Sequence, residues 1–198
     1  MDSQETADLK AQLRRDATEA REAAYRRNPK AGTDLRAHFD QAIAVQPGAA
    51  VSGYWPLEGE LDIRPVLQHL HDLGHTIGLP VVIEKNLPLV FRRWLPGTDL
   101  VKGQFNVHTP PPEAPEVIPQ VLLVPLLAFD PDGYRLGYGG GFYDRTLEKL
   151  RREAHALAVG VAYAAQEMPF VPRGPYDQPL DWIVTERAAF GFDGRNRA

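Results

Sequence analysis

The 198-residue chain contains no cysteine, and this absence excludes a disulfide framework, a thiolate metal site and a cysteine nucleophile. It also lacks a basic surplus. The formal net charge is -4, so the chain as a whole does not supply the clustered cations that a nucleic-acid surface needs. We therefore expect no nucleic-acid partner, and any polyanion that binds should be small.

Long apolar runs are missing as well. The longest one, residues 121–129, falls well short of the roughly 20 residues that a membrane-spanning helix needs. The N-terminal stretch MDSQETADLKAQLRRD is charged and has no apolar core of the kind found in secretory signals. These absences predict a cytoplasmic protein with no membrane partner.

Apolar spacing divides the chain into alternating helices and strands. Helices are predicted at residues 7–27, 34–45, 62–73 and 142–153, and strands at residues 49–55, 76–83, 89–94, 121–129, 156–163 and 182–184. This alternation favours an α/β fold with three α/β/α layers and a mostly parallel, Rossmann-like central sheet. We expect one domain over residues 1–198, with a flexible tail at 190–198 and a surface loop at the proline-rich segment 96–119.

The stretch RLGYGGGFYDR, residues 135–145, concentrates glycines directly before a predicted helix. Backbone amides at such a helix start, together with the helix dipole, favour phosphate. A Walker A loop would need lysine after Gly141, and a dinucleotide fingerprint would need glycine at Phe142, so neither motif fits. Two interpretations remain open: a phosphate-binding loop of another class, or a tight turn that lets helix and strand pack.

Charged residues near these segments are equally ambiguous. Asp144 either complements the dipole of the predicted helix or holds a magnesium ion beside nucleotide phosphates. On the first helix Lys10, Arg14 and Arg21 lie along one stripe. That stripe is either a solvated face paired with neighbouring acids or a cationic strip that reaches a triphosphate.

Four motifs give the chain a family resemblance. LLVPLLAFDPDGYRLGYGGGFYDRTL closely resembles the signature of 5-formyltetrahydrofolate cyclo-ligases, also called 5,10-methenyltetrahydrofolate synthetases. The K-x-x-L-R pattern at 10–14, GYWPLEGELD at 53–62 and PLDWIVTE at 179–186 resemble further motifs of that family in the same order. The family belongs to an α/β superfamily that includes sugar-phosphate isomerases and CoA transferases, which implies the same three-layer fold.

The resemblance also implies site residues. The ATP-contacting positions are Lys10, Ala11, Gln12, Leu13, Arg14, Arg135, Leu136, Gly137, Tyr138, Gly139, Gly140, Gly141, Phe142 and Tyr143. The catalytic positions among them are Lys10, Arg14 and Tyr143. Folate contacts fall on Arg14, Trp55 and Glu60, and magnesium ligands on Asp144 and Asp181.

The implied activity is ATP- and Mg²⁺-dependent cyclisation of 5-formyltetrahydrofolate to 5,10-methenyltetrahydrofolate, with release of ADP and phosphate, by a monomer. Two alternatives are a non-catalytic folate or nucleotide binder and the same fold acting on a sugar phosphate or an acyl-CoA. Some relatives carry arginine and lysine where this chain has Tyr138 and Gly140. Phosphate neutralisation is then expected to fall on Lys10, Arg14, Arg135 and Mg²⁺, with the basic first helix folded over the glycine loop and residues 96–119 as a cover.

Overall fold

The computed structural model describes residues 3–192, with side chains described from residue 8 onward. Within that range the elements in chain order are α1 (Ser3–Arg27), α2 (Ala31–Ala42), β1 (Val51–Ser52), α3 (Arg64–Asp72), β2 (Ile77–Val81), β3 (Val90–Trp94), β4 (Val101–Lys102), β5 (His108–Thr109), β6 (Glu116–Val117), β7 (Val121–Pro125), β8 (Ala128–Phe129), β9 (Arg135–Leu136), α4 (Phe142–Ala154), β10 (Leu157–Val161), β11 (Trp182–Val184) and β12 (Ala189–Gly191). Short 3-10 turns lie at Gln104–Asn106 and Ala164–Gln166.

The main sheet has eight strands in the order β12-β11-β10-β7-β1-β2-β3-β6. Its central strands, from β11 through β10, β7 and β1 to β2, pair in parallel. The outer strands β12, β3 and β6 pair antiparallel. The predicted mostly parallel sheet is therefore confirmed.

Strand β7 shows why the fold has three layers. Val121 and Leu123 belong to the core that contains α2 and α3, whereas Leu122 and Val124 belong to the core that contains α4. Successive side chains of a strand point to opposite faces, so β7 is covered on both sides. This double burial accounts for its continuous apolar sequence, because parallel strands between helix layers have no solvent face.

Helix α1 packs against the short hairpin of β8 and β9 through Ala17, and its Ala24 also packs against the core that contains α2 and α3. Its Ala17 is buried in a small cluster with Leu127, Leu136 and Val171. The hairpin follows the end of β7, so α1 lies beside the carboxyl ends of the parallel strands. Among the helices of residues 3–192, none is both long and apolar enough to cross a bilayer.

Several predicted boundaries were wrong. The predicted strand 121–129 is broken into β7 and β8, and the segment 96–119 is not only loop, because β4 pairs with β5 and β6 extends the main sheet. The predicted tail begins too early. Residues 189–191 form β12 against β11, and the Phe192 amide donates to the Asp181 carbonyl at 3.0 Å. The rest of that predicted tail, 193–198, lies outside the described residues.

Candidate active site

The glycine loop, residues 137–141, joins β9 to α4 at the carboxyl end of the parallel strands, where open α/β sheets bind ligands. Gly139 and Gly141 adopt φ angles of +96° and +65°, which other residues rarely tolerate. A Cβ atom at Gly137 would meet nothing within 4 Å, so the backbone there is open to a close approach. No side-chain hydrogen bond caps the start of α4 among the described residues, so its first amides can bind an anion.

Helix α1 contacts this loop directly through Arg14. Its Nε donates to the Gly137 carbonyl at 2.9 Å. A Cβ atom at Gly139 would lie 3.2 Å from Nη2 of the same arginine, so glycine at this position lets the guanidinium approach the loop. The prediction that the basic first helix folds over the glycine loop is confirmed.

The remaining residues of segment 10–14 differ in orientation. Lys10 Nζ forms an ion pair with Asp177 Oδ2 at 2.7 Å. Asp177 lies beside Gln178, which contacts Arg135 and Asp144 next to the loop. Leu13 packs against the apolar cluster beneath α1, and Ala11 offers no polar group. Gln12 lies two residues from Lys10 and from Arg14, and two residues of helix rotate a side chain by about 200°. Its side chain therefore points away from theirs; it is exposed and donates to Asp16. Lys10 and Arg14 therefore make the polar contacts between this segment and distant parts of the chain.

Arg135 is buried and holds two segments together. Its Nη2 donates to Asp144 Oδ1 at 2.7 Å, and its Nη1 donates to the Gln178 carbonyl. The Gln178 amide donates to the same oxygen of Asp144 at 3.0 Å. The charge of Arg135 is thus compensated within the protein, and Leu136 beside it is buried in the cluster under α1. The share of phosphate neutralisation that the sequence assigns to Arg135 stays a prediction.

The two predicted metal ligands are held by different donors of the protein. Asp144 lies in the first turn of α4, whereas Asp181 Oδ2 accepts from Arg151 Nη2 at 3.0 Å and from the Ala158 amide at 2.7 Å. Arg151 lies seven residues after Asp144, about 10 Å along the helix. No cluster of three metal-ligating side chains occurs in the described part of the chain. One oxygen of each carboxylate is held by the protein, Asp144 Oδ1 by Arg135 and Gln178 and Asp181 Oδ2 by Arg151 and Ala158, so each can offer its other oxygen to a Mg²⁺ ion that also binds phosphate.

A second polar group, the Glu60 cluster, lies next to the loop and consists of Arg21, Glu60 and Tyr138. Glu60 Oε1 accepts from the Tyr138 hydroxyl at 2.7 Å, and Oε2 accepts from the Leu57 amide at 2.9 Å. Arg21 Nη1 donates to that hydroxyl and lies 3.8 Å from Oε1. Burial raises the pKa of Glu60, although these hydrogen bonds and Arg21 oppose the shift.

Trp55 and Tyr143 are further aromatic residues that the sequence predicts at the site. Trp55 packs on Trp94 with ring centroids 6.0 Å apart, and the Arg64 guanidinium lies 5.5 Å from the Trp55 ring. The Tyr143 hydroxyl is buried and has no hydrogen-bond partner in the described part of the chain. Burial is the main cause that raises its pKa, and the negative charge of Glu60 adds to it. Tyr143 and Glu60 therefore belong to one buried region.

Two cations near the loop were missed or misplaced by sequence reasoning. Arg145 Nη2 donates to the Gly140 carbonyl at 2.8 Å, and its guanidinium lies 5.2 Å from the Phe142 ring. Its spacing of four residues from Gly141 was the available signal. Arg21 shares a helix stripe with Arg14, yet it reaches Glu60 rather than the glycine loop backbone.

The model of the 5-formyltetrahydrofolate cyclo-ligase family matches residues 6–186. The chain belongs to this family. It is 34% identical over 149 residues to the 5-formyltetrahydrofolate cyclo-ligase of Haemophilus influenzae, covering 72% of this chain and 79% of that protein. It is 36% identical over 140 residues to the enzyme of that name from Escherichia coli, covering 68% and 76%. The family predicted from the four motifs is confirmed.

A solved structure also shares the fold. The NMR structure of Aquifex aeolicus 5,10-methenyltetrahydrofolate synthetase superposes with a TM-score of 0.78 at 29% identity, and the match covers 95% of each chain. The α/β architecture described above is therefore that of a cyclo-ligase family member over almost its full length.

Proposed function

We propose that this protein is an ATP- and Mg²⁺-dependent 5-formyltetrahydrofolate cyclo-ligase that forms 5,10-methenyltetrahydrofolate, ADP and phosphate. One observation carries the proposal: Arg14 lies on the glycine loop while Tyr138 of the same loop reaches Glu60, the carboxylate matched to folate binding. A site for phosphates and a site for a hydrogen-bonding heterocycle are therefore adjacent. Such a junction is what a reaction between ATP and a folate requires.

The chemistry needs positioning and charge neutralisation more than a protein nucleophile. A formyl amide is a poor electrophile, and its oxygen is a poor leaving group. Transfer of the γ-phosphoryl group to the formyl oxygen makes the carbon iminium-like. The second nitrogen of the folate then attacks that carbon, the carbon–oxygen bond breaks, and phosphate leaves. The residues available at the loop suit this phosphoryl transfer.

The phosphate side of the site is assigned to the loop and its cations. The amides at the start of α4 and the Arg14 guanidinium face the space above Gly137 and Gly139. Lys10, one turn before Arg14 on α1, is assigned to the phosphates as well, although its ammonium pairs with Asp177 at 2.7 Å in this structure. Mg²⁺, held by Asp144 and, through the oxygen that Arg151 and Ala158 leave unused, by Asp181, would neutralise charge on the phosphate oxygens.

The folate side is assigned to Glu60, Trp55 and Arg14. A buried carboxylate suits the paired N–H donors of a pterin ring, and Trp55 supplies an apolar face beside it. Phe105, within the predicted cover segment, packs edge-on against Phe142 with centroids 5.9 Å apart. This contact supports the proposal that segment 96–119 shields the reacting groups from water.

Formation of methenyltetrahydrofolate, followed by ultraviolet absorbance with purified protein, ATP, Mg²⁺ and 5-formyltetrahydrofolate, tests the proposal. We expect Lys10→Ala and Asp144→Asn to lose most activity. Lys149→Ala on the exposed face of α4 and Asp72→Asn at the exposed end of α3 are matched controls. Unaltered turnover in both site variants would contradict the assigned roles, and absence of product from the unaltered protein would refute the function.

The proposal further includes a monomer that acts in the cytoplasm and uses no nucleic acid or membrane. Light scattering coupled to size exclusion measures the mass. A dimer at the concentrations used for turnover would contradict the proposed monomer and leave the proposed activity unchanged.

A further inference from the structure

Arg21 is a buried cation whose bonding is incomplete. The residue is only 6% exposed, and its Nε is buried without a hydrogen-bond partner among the residues that the structure describes. Its Nη1 donates to the Tyr138 hydroxyl. A buried guanidinium donor with no acceptor is costly, and such groups in native proteins usually have a functional reason.

The hydroxyl that joins Arg21 to Glu60 has a specific donor and acceptor arrangement. It donates to Glu60 Oε1 at 2.7 Å and accepts from Arg21 Nη1. A neighbouring donor and acceptor also occur along the edge of a pterin ring, where N3–H donates and the 4-oxo group accepts. The 2-amino group beside N3 adds a second donor for the carboxylate. Arg21 and Glu60 therefore present a donor face next to an acceptor face, complementary to that edge.

We propose that Arg21 is a substrate-binding residue that donates to the 4-oxo group of the pterin while Glu60 accepts from N3–H and the 2-amino group. The pterin edge would take the position that the Tyr138 hydroxyl occupies between Arg21 and Glu60 in this structure. The inference rests on the proposed function, since it requires that the substrate be a folate. Tyr138 is on the glycine loop, so its hydroxyl leaves the pair when the pterin edge binds. The ring itself is half exposed and can move without unpacking the core.

Calorimetric titration with 5-formyltetrahydrofolate, without ATP and so without turnover, tests the role of Arg21. We expect Arg21→Met to weaken binding by roughly 10- to 100-fold, the effect of losing a hydrogen bond from a charged donor. Arg21→Lys should recover part of the loss. Arg26→Met, which removes an exposed cation from the same helix, is the matched control and should bind as the unaltered protein does.

The same variants are titrated with Mg²⁺ and a non-hydrolysable ATP analogue, which reports whether the glycine loop is still formed. Affinity for that analogue should stay within about twofold in Arg21→Met, because Arg21 contacts the Tyr138 hydroxyl and Glu60 and not the backbone of the glycine loop. If the unaltered protein binds the analogue but no folate, the proposed function and this inference both fail. If Arg21→Met binds 5-formyltetrahydrofolate normally, only the inference is overturned.

A change in the ligand, combined with Arg21→Met, isolates the contact to the 4-oxo group. A 2,4-diaminopteridine analogue replaces that acceptor by an amino group and also removes the N3–H donor. The altered contact to Glu60 is common to both proteins and cancels when their ratios of affinities are compared. Arg21→Met should therefore shift the ratio of affinities in favour of the 4-amino compound by about the factor lost with 5-formyltetrahydrofolate. Tyr138→Phe should leave folate affinity equal or higher. An unchanged ratio in Arg21→Met, or a large loss in Tyr138→Phe, would overturn the assignment.

Discussion

Replacement of Gly139 by alanine separates strain in the loop from loss of its function. The φ angle of +96° costs an L-residue roughly 1–2 kcal/mol or more. For a domain of this size, that lowers the melting temperature by about 2–8 °C. The new Cβ would also lie 3.2 Å from Arg14 Nη2, so the guanidinium must move by a few tenths of an ångström. We expect affinity for Mg²⁺ and a non-hydrolysable ATP analogue to fall about tenfold or more, as one charged hydrogen bond is lost.

Gly74→Ala provides the matched control. Gly74 has a φ of +89°, and a Cβ atom there would meet nothing within 4 Å. It should therefore show a similar loss of melting temperature and normal nucleotide affinity. Thermal unfolding and calorimetric titration of both variants give the two numbers. If Gly139→Ala loses stability like Gly74→Ala yet binds the analogue normally, the glycines form a packing turn and the phosphate assignment is wrong.

Two further substitutions are expected to change ligand affinity in opposite directions: Glu60→Gln abolishes folate binding, and Asp177→Asn tightens nucleotide binding. Because burial raises the pKa of Glu60, the folded state binds more protons than the unfolded state between their two pKa values, and the free energy of unfolding falls as pH rises through that window. Glu60→Gln should remove this slope in urea denaturation between pH 4 and 8 while it abolishes folate binding; an unchanged slope would contradict the assignment. Asp177→Asn frees Lys10 from its 2.7 Å ion pair, so calorimetry should show ATP-analogue binding about two- to fivefold tighter. Weaker binding would mean that Asp177 positions Lys10.

The apolar pattern of the sequence predicted those strands of the sheet that are buried on both faces. The run at 121–129 was recognised as buried because strand β7 is covered on both faces. Its break at residues 126–127 was not predicted, because it depends on a distant residue: Gln166 Nε2 donates to the Leu126 carbonyl at 2.9 Å and to the Leu127 carbonyl at 3.0 Å. After β8, the Asp130 carboxylate accepts the backbone amides of Asp132 and Tyr134 at 3.0 Å and turns the chain back into the hairpin. Strand β12 was missed because three residues at a sheet edge carry no period, and their pairing with β11 is a tertiary effect.

The site was predicted as a set of positions but not as a set of contacts. The K-x-x-L-R and glycine motifs identified α1 and the loop, and α1 does lie on the loop. Their bonding could not be inferred, because the partner of Lys10 is Asp177, 167 residues away. The stripe of Lys10, Arg14 and Arg21 shows the same limit. Helical spacing places these cations on one side of α1, but only the tertiary packing of Glu60 decides that Arg21 pairs with this carboxylate.

The contacts also explain how this chain manages without the arginine and lysine that some relatives carry in the loop. A Cβ atom at Gly140 would lie 2.8 Å from the Phe142 ring, so a lysine at this position would displace an aromatic contact. Arg145 donates to the Gly140 carbonyl from α4 instead. Arg14 donates to the Gly137 carbonyl from α1. Cations held on helices lose less side-chain freedom on binding than cations on a loop tip, because their stems are already packed. The backbone of the loop stays bare for phosphate, and the charge that balances the phosphate comes from the two helices that flank it.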